Sequence, residues 1–405
     1  MTQNHTSQAI LREIEKIPVI DTHEHMLPPS MHPAMRYSFF NLMIPYAQFD
    51  LVSAGMSRKF MWRNDLNDEE VEECYAEFRN YWPRVKHNAY GMHVRRTLRE
   101  SFGIDDITDD NYLHIGELLN STCTDSHYRE ILQEECNIKY ILNQFGSYYD
   151  YPEQDSYFIP HANMLKNGVI DDIRELKESK ASPTLDDHLE LLFTRMSEGK
   201  QAGARLVKYD ASCFLCKGDR ALAESQFNAL LRGERCNSEE MQSYLYKATL
   251  RNAKELDLVA AVHTGVWDNI NRKSPLLLFP IVESNPDVTF DIYHMGMPFA
   301  SETAFLGKNF QNCYLDLCWS HIVSPRMLIR AFDEWLDLVP YNKIFAFGGD
   351  HATLPINVRS HLNQAKEDLS ICFAKRVDDG WISMDDAIEA IKRFFYDNPK
   401  EVYKL

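Results

Sequence analysis

The chain has little that would take it to a membrane or a nucleic acid. Its 43 Lys and Arg face 60 Asp and Glu, a formal charge of -17, whereas nucleic acids and anionic lipid surfaces both demand a basic face. No apolar run is long enough to cross a bilayer. Residues Met1 to Lys16, with Glu13 and Glu15, lack the basic start and apolar core of a signal peptide. The nine cysteines show no dense, regular spacing, which predicts reduced thiols in a cytoplasmic protein. Cys213 and Cys216 form a lone Cys-x-x-Cys with no second pair nearby and read as two free thiols. Gly/Ser linkers, low-complexity tracts and repeats of fixed period are also missing. What remains is an ordinary globular balance, 44% hydrophobic and 25% charged over 405 residues, enough for one large domain or two.

What recurs along the chain is an apolar run followed by an amphipathic, helix-like stretch. The runs are Pro18–Asp21, Ile138–Asn143, Phe158–Pro160, Ala204–Tyr209, Leu258–His263, Val288–His294, Cys313–Leu317 and Lys343–Phe347. Several are apolar throughout, as parallel strands covered on both faces must be. Helix-like segments such as Ser238–Leu256 and Pro325–Leu338 lie between them. Eight strands with helical crossovers predict an α/β fold, a (β/α)8 TIM barrel formed by residues 1–405 as one domain. More than 100 residues separate the first run from the second, far more than one crossover needs. That stretch, rich in aromatics, Met and Arg and helical in pattern (Asp68–Asn80), predicts a helical cap at 27–134 inserted after strand one.

The chemistry sits at the ends of these runs. The segment Pro18-Val-Ile-Asp-Thr-His-Glu-His25 leads a β-branched run into His23 and His25, two positions apart and so on one face of a strand. His263 ends the fifth run, His294 ends the sixth, and Asp350 follows Lys343-Ile-Phe-Ala-Phe-Gly-Gly. A lone His at a strand end is usually structural, and an Asp after Gly-Gly is usually a turn or a helix cap. All five at C-terminal strand ends of one barrel is another matter, because those ends open on a single face where active sites are built. Converging imidazoles and a carboxylate predict a divalent metal site.

These residues resemble the amidohydrolase superfamily, whose members hold one or two divalent metals at a barrel mouth. The resemblance covers nearly the whole chain, down to the closing Asn398-Pro399-Lys-Glu-Val-Tyr403, and points to the branch that includes decarboxylases and hydrolases. It implies that His23, His25, His263 and Asp350 are metal ligands. It also implies that His294 is either a ligand of a second metal or a contact to substrate or water. Lys208, ending Ala204-Arg-Leu-Val-Lys208, falls where binuclear members carboxylate a lysine to bridge two metals; the alternative is an ion pair with Asp210 or with a substrate carboxylate. One ion is expected, with zinc suiting the His-rich set and manganese or iron also acceptable.

Such a metal keeps a position open for water, whose pKa falls to roughly 7. Asp350, expected to be ionised, then serves as the base that moves its proton, a role worth roughly 10²–10⁴-fold. In the insertion, Arg84, Lys86, His87, His93, Arg95, Arg96 and Arg99 form a local basic group. Arg95 or Arg96 could clamp an acidic substrate in bidentate fashion, or could simply pair with nearby acids on a solvated helix. The segment from His93 to Ile104 is also similar to the Leu-Arg-Arg-x-Phe-Gly-Ile region of uronate isomerases, with extra residues separating its arginines from Phe102-Gly103. Trp319 and His321, after the seventh run, and Trp267, after His263-Thr-Gly, are candidates to line a substrate pocket. His351 either steers Asp350 or caps the next helix.

The leading expectation is a metal-dependent hydrolase acting on an amide, lactone or ester of a small polar substrate, with or without a carboxylate. A uronate-type aldose–ketose isomerase and a nonoxidative decarboxylase are the alternatives. No nucleic-acid or membrane partner is expected, and a closed homo-oligomer is the general expectation for assembly.

Overall fold

The computed structural model describes residues 4–405 except 27, 28, 30–35, 123, 145–154, 166, 167, 267, 268 and 353. Eight parallel strands form the centre: β1 (Val19–Glu24), β2 (Ile138–Asn143), β3 (Phe158–Pro160), β4 (Leu206–Asp210), β5 (Val259–His263), β6 (Phe290–Ile292), β7 (Cys313–Asp316) and β8 (Ile344–Phe345). They pair in order as β1-β2-β3 and β4-β5-β6-β7-β8. The first seam is closed by a parallel bridge between His161 and Leu206, with Ala162 N–H donating to Leu206 O at 2.7 Å. Across the second seam, Thr22 N–H donates to Phe347 O at 3.1 Å. The result is the expected TIM barrel.

Each strand is buried for the reason its sequence gave: apolar residues meet helices outside and other side chains inside. Leu142, Leu206, Val259, Ala261, Tyr293, Cys318 and Phe345 pack together with Tyr403 from the terminal helix Asn398–Tyr403. The interior also holds acids, and Tyr403 donates its hydroxyl proton to the Asp291 carboxylate. The helices Glu239–Glu255 and Pro325–Leu338 fall where their periodicity placed them.

Among the described residues between β1 and β2 the regular structure is helical, including Ala47–Ser53, Asp68–Val85, Ala89–Phe102 and Tyr112–Ser121. Asp68–Val85 starts at a capping box in which Asn67 and Glu70 exchange 3.0 Å bonds. It outruns the expected end at Asn80 and passes Pro83. The buried Trp82 and Val85 hold that last turn in place, and Trp82 Nε1 donates to Asp106 at 2.7 Å. Aromatic rings fill the insertion, with Tyr75 stacked on Tyr112 at 3.8 Å and Phe39 edge-on to Phe78 at 5.1 Å. No helix among the described residues is long and apolar enough to cross a membrane.

Candidate active site

The C-terminal strand ends open into a cavity of about 560 Å³, within the range of small-molecule sites. The barrel lines it with His23, His25, Lys208, Asp210, His263 and Asp350, and the insertion adds Tyr46 and Trp62. β1 runs through His23, and His25 follows it directly. Asp350 Oδ1 lies 3.2 Å from His23 Nε2 and 3.4 Å from His25 Nε2. Donor atoms of His23, His294 and Asp350 all fall within 4.8 Å of one another. His294 Nε2 meets His263 Nδ1 at 2.9 Å, so one of that pair carries the proton between them. The structure therefore brings together all five residues taken from the strand ends, with His294 more central to the cluster than a single-ion ligand set implies.

The loops after the last three strands are bent to achieve this. His294, Met295, Trp319 and Asp350 all have φ between +54° and +67°, a region that non-glycine residues enter at a cost and that clusters at functional sites. Burial explains the protonation states. It holds His25 and His263 down to about 4, and drives His23 and His294 well below their ordinary range. All four are thus neutral donors at neutral pH, as metal ligation requires. Burial also raises Asp350, with His25, Lys208 and His263 partly opposing it. Without an ion the carboxylate is therefore less acidic than the sequence led us to expect, and a cation beside it would restore the charge. Lys208, pushed down to about 8 by burial, lies 3.4 Å from His23 Nε2 and 4.2 Å above the Tyr293 ring. Asp210 pairs with Lys273 at 3.2 Å rather than with Lys208.

Other candidates lie elsewhere. Arg95 donates Nε–H to Asp105 O at 3.0 Å. Arg96 forks onto Glu367 at 2.8 and 2.9 Å and binds Glu100 at 2.6 Å. Neither lines the cavity: in so acidic a protein the helix arginines find carboxylates on their own helix, the following loop and the barrel's outer helix. Trp319 is buried beneath Tyr46, whose ring stacks on it at 4.7 Å. His321 spends both ring nitrogens, on Asp368 and on Ala346 O, each at 3.0 Å, and is fully buried away from the mouth. His351 turns its ring to His361, with Nε2 3.2 Å from His361 Nδ1, and reaches the site through its backbone and through the edge-on packing of its ring against Tyr46 at 5.8 Å. Cys213 and Cys216 are both free of disulfides, and Cys213 lines the cavity. Trp267 lies outside the described residues.

Three further residues contribute to the site. Tyr46 donates its hydroxyl to Asp350 O; nothing in its segment marked it. His161, one residue past β3, lies close enough to His23 and His25 to depress both, and the strand-end rule applied to Phe158–Pro160 would have found it. Glu24 lay inside the motif itself.

A cluster of imidazoles and a carboxylate able to hold a metal ion, at the mouth of a TIM barrel, defines the class. Residues 154–405 match the family model described as amidohydrolase, and the chain belongs to that family. No curated relative matches the sequence. Among solved structures it is similar to the uronate isomerase of Thermotoga maritima (TM-score 0.77, 15% identity, 99% of this chain and 98% of that one). It is also similar to the glucuronate isomerase of Caulobacter crescentus (0.76, 16%, 100% and 95%). A Lactobacillus casei protein provisionally described as a metal-dependent hydrolase matches as well (0.68, 14%, 98% and 97%). At these identities the likeness speaks to the fold.

Proposed function

We propose that the protein is a metal-dependent hydrolase of a small polar, carboxylated substrate, an amide, lactone or ester. The observation that carries this reading is Asp350 Oδ1 poised between His23 and His25 at the wall of an open cavity. His23, His25, His263 and Asp350 would hold the ion, with zinc the best match to so many imidazoles, and His294, hydrogen-bonded to His263, would meet the substrate or its water. A divalent ion there supplies Lewis acidity and a nucleophile usable at neutral pH. Asp350 accepts the proton of the attacking water and returns it to the leaving group. Tyr46 holds the Asp350 backbone while this happens. Lys208, the sole ammonium or guanidinium among the described lining residues, receives the substrate's carboxylate. Its positive charge beside His23 favours one ion over two. The described helices between β1 and β2 act as a cap that narrows the mouth with Tyr46 and Trp62.

A second reading, isomerisation of a uronate, draws support from the alignment with two uronate-type isomerases over nearly their whole length, insertion included. One panel separates them. Zinc-replete protein is offered carboxylated amides, lactones and esters in ¹⁸O-water, and hexuronates assayed for aldose-to-ketose conversion. Hydrolysis appears as ¹⁸O in the product, stops with a chelator, and falls at least ~10²-fold in Asp350→Ala. Ketose formation without ¹⁸O in the product carboxylate would replace the hydrolase reading with the isomerase one. An Asp350→Ala enzyme of undiminished activity would remove the proposed base from either.

A further inference from the structure

Glu24 stands between the two mouth histidines and is fully buried. A buried carboxyl group needs a hydrogen-bond partner, and Oε2 of this one has its partner across the barrel seam. Glu24 Oε2 accepts the peptide N–H of His351 at 2.5 Å. Asp21 Oδ1 accepts the N–H of Gly349 at 3.1 Å and that of His23 at 3.2 Å. The N–H of Asp350 itself goes to His23 O at 2.7 Å, and His25 N–H answers on His351 O at 3.0 Å. Three consecutive peptide N–H groups, 349 to 351, thus end on β1.

A bulge makes this possible. β1 pairs Asp21 with Ile141 and Glu24 with Asn143, so three steps of β1 cover two of β2, and residues three apart come to share a side. Asp350, at φ +56°, sits in a conformation that an untethered turn would leave.

We propose that Glu24 is a positioning residue for Asp350. Its carboxyl group, with that of Asp21, fixes the 349–351 turn and so holds the Asp350 side chain against His23 and His25. The inference rests on the reading that Asp350 helps to hold the ion, and it can be tested without any substrate.

Hydrogen exchange of the 346–352 segment is followed in chelator-treated protein, and zinc affinity is measured by competition with a chromophoric chelator. Glu24→Ala should speed exchange of that segment about tenfold and weaken zinc about 10–100-fold, the usual effect of losing a group that orients a ligand. Glu24→Gln should leave both within about threefold, because its amide oxygen still accepts the His351 N–H. If Glu24→Ala does not fold, Glu24→Asp, one methylene too short, takes its place against Glu24→Gln. Unchanged exchange in the Ala or Asp variant overturns the proposal. So does a Gln variant as impaired as Ala, or faster exchange with full zinc affinity. Failure of the underlying reading would show separately, as full zinc affinity in Asp350→Ala with Glu24 intact.

Discussion

Gly349 and Glu24 are packed so closely that a Cβ at position 349 would stand 1.9 Å from Glu24 Oε1. The neighbouring Gly348 is as tight, since its Cβ would meet the Cβ atoms of Cys318 and His23 at 2.6 and 2.9 Å. The Gly-Gly before Asp350 therefore answers a need for close approach between β1 and the end of β8, because a turn built from larger residues would be held off the histidines.

Gly349→Ala should accordingly destabilise the protein by about 1–3 kcal/mol, as overpacking a rigid site does. It should also release the 346–352 segment to faster hydrogen exchange. Chemical denaturation of the chelator-treated protein measures the first effect, and a midpoint equal to that of the parent would contradict the packing argument.

Arg96 should matter for stability and not for substrate. Its fork onto Glu367 joins the insertion to the helix Pro355–Asp378, while its bond to Glu100 braces the guanidinium along its own helix. Arg96→Met should lower the unfolding free energy by ~1–2 kcal/mol, the scale of a partly buried charge-assisted pair. KM for whichever substrate the assays identify should move by less than about twofold. A tenfold rise in KM with unchanged stability would put Arg96 back at the mouth.

His161 should make the metal-free fold sensitive to acid. Burial holds it to about 4 against an ordinary 6.5. Between those values the unfolded chain binds a proton that the folded one refuses, so stability falls as pH drops through that window. Asp21 and Asp316, raised to about 7 by burial, act in the opposite sense between about 4 and 7 and are common to parent and variant. His161→Gln should therefore lose less stability than the parent between pH 6.5 and 4.5 in urea titrations with chelator present. Equal losses would show that His161 titrates normally in the fold.

Much of this was legible in the chain. Apolar runs fixed eight strands to within a few residues, since a strand buried on both faces has no other composition available to it. Where runs and elements differ, a local device intervenes. β6 stops at Ile292 because His294 turns into the left-handed region, and β1 continues through His23 because the bulge keeps it paired. The arginines of the insertion could not be placed. A guanidinium goes to whichever carboxylate is near, and Glu367 lies on a helix formed hundreds of positions later.

By itself the sequence determined that eight apolar runs would be strands and that four of them would carry imidazoles or a carboxylate at their C-terminal ends, because strand formation and strand polarity are local properties of the backbone. The tertiary structure alone decided which side chains face the cavity and which are used up elsewhere: Arg96 on Glu367, His321 on Asp368 and Ala346, Trp319 under Tyr46. It also decided that Glu24 would hold the turn carrying Asp350. Those outcomes depend on distances between segments far apart in the chain, which only the closed barrel brings within reach of one another.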